Sequence, residues 1–357
     1  MDKFFDHILL GKVKVSNAPV WYPAAELPKH LLLLGRTGSG KTNFFYWVLS
    51  QLITKIPVWI FDRKEDYRHL HRVFPGRLLV IDLVRDFKCN PLAVPPYVQP
   101  KRWLDQFCEL FCRINSLLDG SSGLLRTTLD RLYMDYGVYD GSGKCPSFFE
   151  LLESLKRIRV PAYGRQSGFR DSLVNRVQAY LNHGELYDCS VGFDIERLMS
   201  KSVVFEITGM LEVQANFWLN FLLLYMFSDR IARKERGNQL RNVVCFDEAK
   251  SVFPPFVNAN IGFKPITYMV SQLREFGVSI IAADQSADLD NSIFANSQFK
   301  MVMQLGSGDD IDKAAKALGL DRDQKDYIYS LDVGEAIVRH PKINQPFVME
   351  IPRFPLE

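Results

Sequence analysis

An α/β fold, a mostly parallel sheet interrupted by an all-helical insertion, is what the sequence predicts, and three observations predict it. Short apolar runs recur at strand length: LLLL at 31–34, VWIF at 58–61, LLVID at 78–82, SVVFEI at 202–207, NVVCFDEA at 242–249, VSIIAAD at 278–284 and KMVMQLG at 300–306. Stretches with helical spacing of apolar residues follow several of them, the order expected of parallel strands joined by crossovers. From 101 to 190 the strand-like runs stop and only helical periodicity remains.

Taken in order, residues 1–28 are mixed and form a lead-in segment, with WYPAAELPKH read as a loop before the first core strand. That strand is Leu31–Leu34, followed by a glycine-rich turn and a helix from about Thr42 to Thr54. A second strand, Val58–Phe61, ends at Asp62, and a third, Leu78–Asp82, runs into the turn-rich CNPLAVPPYVQP. WLDQFCELFCRINSLL, LLRTTLDRLYMDYG, SFFELLESLKRI and FRDSLVNRVQAYLNHG are four amphipathic helices of a subdomain spanning 101–190. The core comprises 29–100 and 191–354, and DVGEAIVRH adds an edge strand to it. FWLNFLLLYMF, at 217–227, is about half the length that spans a bilayer and reads as a buried helix.

Composition narrows the classes. A chain of 357 residues, 47% hydrophobic, can bury a large core. Its 44 basic and 41 acidic residues leave a formal charge of +3, too balanced to argue for nucleic acid by itself. Cys108 and Cys112 are neighbours on one helix face rather than half of a zinc knuckle, and the six cysteines show no paired CxxC spacing. MDKFFDH is short and of mixed charge, unlike a secretory leader, so a cytoplasmic protein is expected. The terminal Leu356-Glu357 leaves room for a longer natural chain.

The chemistry is concentrated in three places. Gly35-Arg36-Thr37-Gly38-Ser39-Gly40-Lys41-Thr42 fits GxxxxGK[ST] and lies between an apolar strand and a helix, the context that motif requires. Its glycines allow backbone N–H groups to turn inward around phosphate oxygens, and the helix N-terminus adds unsatisfied donors. Lys41 is placed for the β- and γ-phosphates of ATP and the Thr42 hydroxyl for Mg²⁺. VVCFDEAK supplies an acidic pair at a strand end: Asp247 for the Mg²⁺ shell and Glu248 to polarise an attacking water, which argues for hydrolysis over passive binding. In IIAADQSADL, Gln285 is a candidate γ-phosphate sensor and Asp284 competes with it for that part.

With these elements in place the chain resembles the HerA/FtsK superfamily of P-loop ATPases, above all its HerA-like, VirB4-like and conjugative coupling-protein branches. GRTGSGKT is similar to that family's phosphate loop, WIFDRKEDY to its D-x-K-G-E/D-Y segment and FKCNPLAVPP to its NPL turn. FDEAK matches the acidic pair. SQLREFGVSIIAADQSADLDNSIFANSQFKMVMQLG resembles the stretch from an arginine-bearing helix through the sensor strand, and LGLDRDQKDYIYSLDVGEAIVRH the closing segment. The likeness covers roughly residues 28 to 354 and implies a RecA-like P-loop NTPase core. Glu65 stands where the family often has glycine, and Lys250 where a histidine is common.

The resemblance implies a hexameric ring with ATP at subunit interfaces and an arginine inserted from the neighbour. Arg274 is the first candidate for it, with Arg170 and Arg176 as alternatives and a structural role as the other reading. An ATP-driven DNA translocase or helicase is the leading expectation. A secretion or conjugation ATPase moving protein or nucleoprotein at a membrane, through a membrane-complex partner, is the alternative, and a nucleotide-controlled scaffold of a defence complex is a third. Basic clusters at RKEDYRHLHR (63–72) and RIARKERGNQLR (230–241) are either DNA-facing or solvated, and SVFPPFVNANIGFKP (251–265) is either a lining loop or a subunit contact.

Overall fold

The computed structural model describes residues 6–355 apart from 162–163, 183–188, 190–191, 238 and 256–264. Most of SVFPPFVNANIGFKP therefore lies outside the described residues.

Among the described residues eleven strands form one sheet: β1 (His7–Val13), β2 (Pro19–Pro23), β3 (Leu31–Leu34), β4 (Val58–Asp62), β5 (Leu78–Asp82), β6 (Ser202–Glu206), β7 (Asn242–Phe246), β8 (Val278–Asp284), β9 (Phe299–Val302), β10 (Glu335–Arg339) and β11 (Phe347–Glu350). Their order is β2-β1-β11-β10-β9-β3-β8-β7-β4-β6-β5. From β9 to β6 each neighbour is parallel, whereas β9 to β2 is an antiparallel flank. The central strands are buried along their whole length, which is why they read as unbroken apolar runs rather than alternating ones.

Two features of the flank differ from the sequence expectation. DVGEAIVRH contributes β10, which is an interior strand hydrogen-bonded to β9 on one side and β11 on the other. WYPAAELPKH is not a lead-in loop: it supplies most of β2 and then a 3-10 turn over Ala24–Lys29. The polar and proline content that reads as loop belongs to a strand at the sheet edge, where an unpaired face tolerates proline.

Helices α1 (Lys41–Leu52) and α2 (Arg68–Val73) follow β3 and β4. After β5 come α3 (Pro100–Ile114), α4 (Asp119–Asp135), α5 (Phe148–Arg157), α6 (Arg165–Leu181) and α7 (Ile195–Met199). The later helices are α8 (Glu212–Ala232), α9 (Pro265–Leu273), α10 (Asn291–Asn296), α11 (Gly308–Leu318) and α12 (Arg322–Tyr327).

The chain divides into two compact units. One holds residues up to Val80, Leu198–Thr208 and Arg236 onward; the other holds Ile81–Arg197 and Gly209–Glu235. In the second unit α5 opens with a capping box, Ser147 and Glu150 each satisfying the other's backbone. Aromatic side chains form its interior: Phe107, Phe111, Phe148, Tyr180 and Phe217 meet edge-on, tilted or stacked, with ring centroids 5.2–6.5 Å apart. The FWLNFLLLYMF stretch lies in α8 and is buried from Phe217 to Phe227. Among the described residues no helix is long and apolar enough to cross a membrane.

Candidate active site

β3 is the centre of the site because its C-terminal end leads directly into the phosphate loop. Leu31–Leu34 is nearly unexposed, so the strand is fixed on both faces and delivers Gly35 to one position. Gly35 N–H donates to Asp284 O at 3.0 Å and Arg36 N–H to Gln304 O at 2.8 Å, tying the loop to β8 and to the end of β9. A side chain at Gly35 would put its Cβ 2.6 Å from Ser39 Oγ and 2.8 Å from Met303 Cβ, so only glycine fits. Gly38 (φ 79°) and Gly40 (φ 108°) take the left-handed conformations that turn the backbone inward. Gly40 is also the N-cap of α1, which leaves the first N–H groups of that helix free at the loop.

Lys41 lies back over this loop, its Nζ donating to Gly35 O at 2.6 Å and Arg36 O at 3.1 Å. Burial lowers its pKa, while the negative charge of Asp247 works in the opposite direction. Two carbonyls use two of its three donors, leaving the third for an oxyanion.

Asp247 and Glu248 follow β7, and the single strand between β7 and β3 is β8. Thr42 Oγ1 donates to Asp247 Oδ2 at 3.4 Å, so the hydroxyl and the carboxylate predicted to share a cation are adjacent. Tyr67 Oη donates to the same oxygen at 3.1 Å. Burial pushes Asp247 up to about 6, held down in part by the Tyr67 bond and by Lys41 and Lys64. A buried carboxylate beside a hydroxyl is a hard-oxygen pair suited to Mg²⁺, which takes few protein ligands and completes its shell with phosphate and water. Among the described residues no group of three or more His, Cys, Asp or Glu side chains could hold a metal.

Glu248 is held from the other side. Lys64 Nζ lies 2.8 Å from its Oε1, and Arg63 Nε 4.0 Å from its Oε2. The turn after β4 positions both cations: Asp62 is buried and accepts from Lys64 N–H at 2.9 Å and Tyr67 N–H at 3.0 Å. Asp62 therefore aims Lys64 at one acid and Tyr67 at the other. Lys64 and Tyr67 occupy the Lys and Tyr positions of the D-x-K-G-E/D-Y resemblance, but the sequence reading gave neither of them a part in the site. Glu65, within the same turn, takes φ 60°, the left-handed conformation that glycine adopts without strain. The substitution thus keeps the backbone shape, and Glu65 pairs with Arg68 at 3.3 Å.

Gln285 follows β8, the strand between those that carry the loop and the acids. Thr37 Oγ1 donates to its Oε1 at 2.6 Å, joining the tip of the phosphate loop to the candidate sensor. Asp284, its competitor, has a structural part: its carboxylate accepts from Lys250 N–H at 2.7 Å and Ser286 N–H at 3.0 Å, holding the acidic turn to the end of β8. Ser39 helps close the loop, its hydroxyl donating to Arg36 O at 2.8 Å.

Within the unit that holds the site, the structure does not bring Arg274 here. Arg274 begins the 3-10 turn before β8, at the opposite end of that strand, and is exposed. Arg170 pairs with Asp171 at 2.8 Å and Arg176 lines a cavity with Arg165, both in the helical unit.

Residues 8–98 match the family model "Helicase HerA, central domain". The chain is 23% identical to the DNA double-strand break repair helicase HerA of Sulfolobus acidocaldarius, over 97% of this chain and 69% of that one. It is 24% identical, over the same shares, to the protein of that name from Saccharolobus solfataricus. Among solved structures, VirB4 of Thermoanaerobacter pseudethanolicus superimposes with a TM-score of 0.76 at 17% identity, covering 99% of this chain and 98% of that one. The bacterial conjugative coupling protein TrwB, in a form with ADP and Mg²⁺, gives 0.68 at 15% identity, over 97% and 90%.

Proposed function

We propose that this chain is a P-loop ATPase of the HerA/FtsK type, an ATP-hydrolysing ring motor that moves along DNA. The observation that carries the reading is the convergence of Lys41, Thr42, Asp247, Glu248 and Gln285 at the C-terminal ends of three adjacent strands. The loop N–H groups and Lys41 bind the phosphates. Thr42 and Asp247 would hold Mg²⁺, which would supply positive charge to neutralise the phosphates. Glu248 orients the water that attacks the γ-phosphate, and Gln285 reports whether that phosphate is present.

DNA as the track is supported by the curated relatives, which are named as DNA repair helicases. Ring assembly, a cytoplasmic site of action and Arg274 as a residue offered to a neighbouring subunit belong to the same proposal. A coupling ATPase working on protein or nucleoprotein at a membrane is the second reading, favoured by the fold likeness to VirB4 and TrwB. A membrane-complex partner belongs to that second reading.

Two variants test the ATPase assignment. Lys41→Ala should lose productive ATP binding. Glu248→Gln should keep binding while turnover falls by about a hundredfold or more. Normal turnover in Glu248→Gln would remove that residue from the mechanism.

A further inference from the structure

The basic clusters that stand out in the sequence are largely neutralised in the fold. Arg68 holds Glu206 through two bonds of 2.6 and 2.7 Å, and Lys64 holds Glu248. In RIARKERGNQLR, Arg230 pairs with Glu235, and Arg233 with Asp229 and Glu196. These clusters fasten the protein to itself.

One acidic group fastens a part that the chemistry would use. Gln285, the candidate sensor, lies in the turn that leaves β8, and carboxylates hold the backbone of that turn. Asp284 Oδ1 accepts from Ser286 N–H at 3.0 Å. Asp310 Oδ1 accepts from Ser286 Oγ at 2.8 Å and from Ala287 N–H at 2.7 Å. Ser286 Oγ accepts in turn from Asp288 N–H at 3.0 Å. Ala287 is buried, so loss of the Asp310 carboxylate would leave its N–H unsatisfied.

Asp310 comes from the first turn of α11, where any acid is favoured by the helix dipole. That effect does not explain where its side chain points. Asp309 puts a second acid in the same turn, and the N-cap Ser307 makes no side-chain cap bond. Asp310 turns its carboxylate away from its own helix end and onto the sensor turn. The other ties there are weaker. Asp288 is bridged by Lys313 of α11 at 2.8 Å and by Lys250 of the acidic turn at 3.3 Å, but all three side chains are about half exposed and contribute little.

The phosphate loop supplies a second, independent tie to the same support. Arg36 N–H donates to Gln304 O, and α11 begins at Gly308. Thr37, the next loop residue, donates to the Gln285 side chain. The loop tip and the sensor turn are therefore both bonded to the segment that opens α11.

We propose that Asp310 is a positioning residue for γ-phosphate sensing: it fixes the backbone that carries Gln285 and does not touch the nucleotide. The proposal rests on the reading of Gln285 as the sensor of an ATPase site, and it makes α11 the support of that sensor. A side chain whose backbone drifts by an ångström loses the alignment that catalysis requires.

The test uses the full chain and measures kcat and KM beside the affinities for ADP and for a non-hydrolysable ATP analogue. The ratio of the two affinities reads the response to the γ-phosphate, which a general loss of folded protein does not move. Asp310→Ala should lower kcat by about tenfold and shrink that ratio as Gln285→Ala does, with ADP affinity near wild type. Asp310→Asn keeps an acceptor oxygen and should recover most of both. Asp309→Asn removes a charge from the same helix turn and should match wild type. In a Gln285→Ala background, Asp310→Ala should add less than about twofold, because the two act as one unit. If Asp310→Ala does not fold, Ser286→Ala, which removes one of the two donors to the carboxylate, is read in its place for a smaller loss of the same kind.

A wild-type ratio and kcat in Asp310→Ala, or in Ser286→Ala where that variant stands in, would overturn the proposal. So would losses fully additive with those of Gln285→Ala. Should Gln285→Ala itself leave the ratio and kcat unchanged, the sensor reading fails and the proposal falls with it. The Gln285 single variant thus separates that result from a failure of Asp310 alone.

Discussion

Lys64 Nζ and Glu248 Oε1 lie 2.8 Å apart, so the acid assigned to the attacking water is gripped by a cation from the turn after β4. The hydrogen bond and charge of Glu248 hold the Lys64 pKa above its ordinary value. Removing the ammonium should leave the carboxylate free to rotate. Lys64→Met is expected to lower kcat by about tenfold, with ADP affinity near that of wild type, because Lys64 positions an acid and not the phosphates. Steady-state kinetics beside an ADP titration checks it; a loss confined to nucleotide affinity would place Lys64 on the phosphates instead.

The Thr37–Gln285 bond, at 2.6 Å, joins the loop tip to the sensor candidate. Thr37→Val keeps the shape of the side chain and removes the donor. Turnover should fall by several-fold while ADP binding is retained, and Gln285→Ala should add little to a Thr37→Val background if the two act as a pair. Fully additive losses in a double-mutant cycle would show that they act separately.

Glu65 tests the backbone argument. At φ 60° a side chain costs roughly 1–2 kcal/mol, which glycine avoids while losing more chain entropy on folding. Glu65→Gly should therefore be about as stable as wild type despite losing the exposed Arg68 pair. Glu65→Val, β-branched in a left-handed position, should be clearly less stable. Thermal melts of the two variants decide it, and equal losses would dismiss conformation as the constraint.

His30 makes acid stability predictable. Its ring is buried; Nε2 lies 2.8 Å from Val270 O, and Nδ1 accepts from Ile280 N–H at 3.1 Å. Burial lowers its pKa to about 4 from 6.5, with Arg274 adding to the shift. The unfolded chain then takes up a proton that the folded chain refuses. The contribution is complete above pH 6.5 and is lost as pH falls toward 4, by up to roughly 3 kcal/mol. His30→Asn should start less stable at neutral pH yet lose less on acidification. Denaturant unfolding at stepped pH reads the slope, and an unchanged slope would refute the assignment.

The motifs were legible because their chemistry is local. GRTGSGKT places its glycines where inward-turned backbone needs them, and VVCFDEAK puts two acids where a buried strand ends. The central strands were equally readable, since burial on both faces leaves runs that little else explains. Long-range relations were less visible. β10 looked like an edge because β11 and β1, which cover it, contain too few alternating residues to announce themselves. Lys64 and Tyr67 sit in a charged turn that composition alone calls solvated, and only the fold directs them to Glu248 and Asp247. The pairing of Lys300 with Arg339 is likewise a property of register, not of either local sequence.

The most direct test of the account measures ATP hydrolysis across protein concentration, with and without single- and double-stranded DNA, while molecular mass is read in the same samples. A DNA-moving ring predicts turnover that rises as the assembly forms and rises again when DNA is added. Mass and turnover that ignore DNA altogether would contradict it.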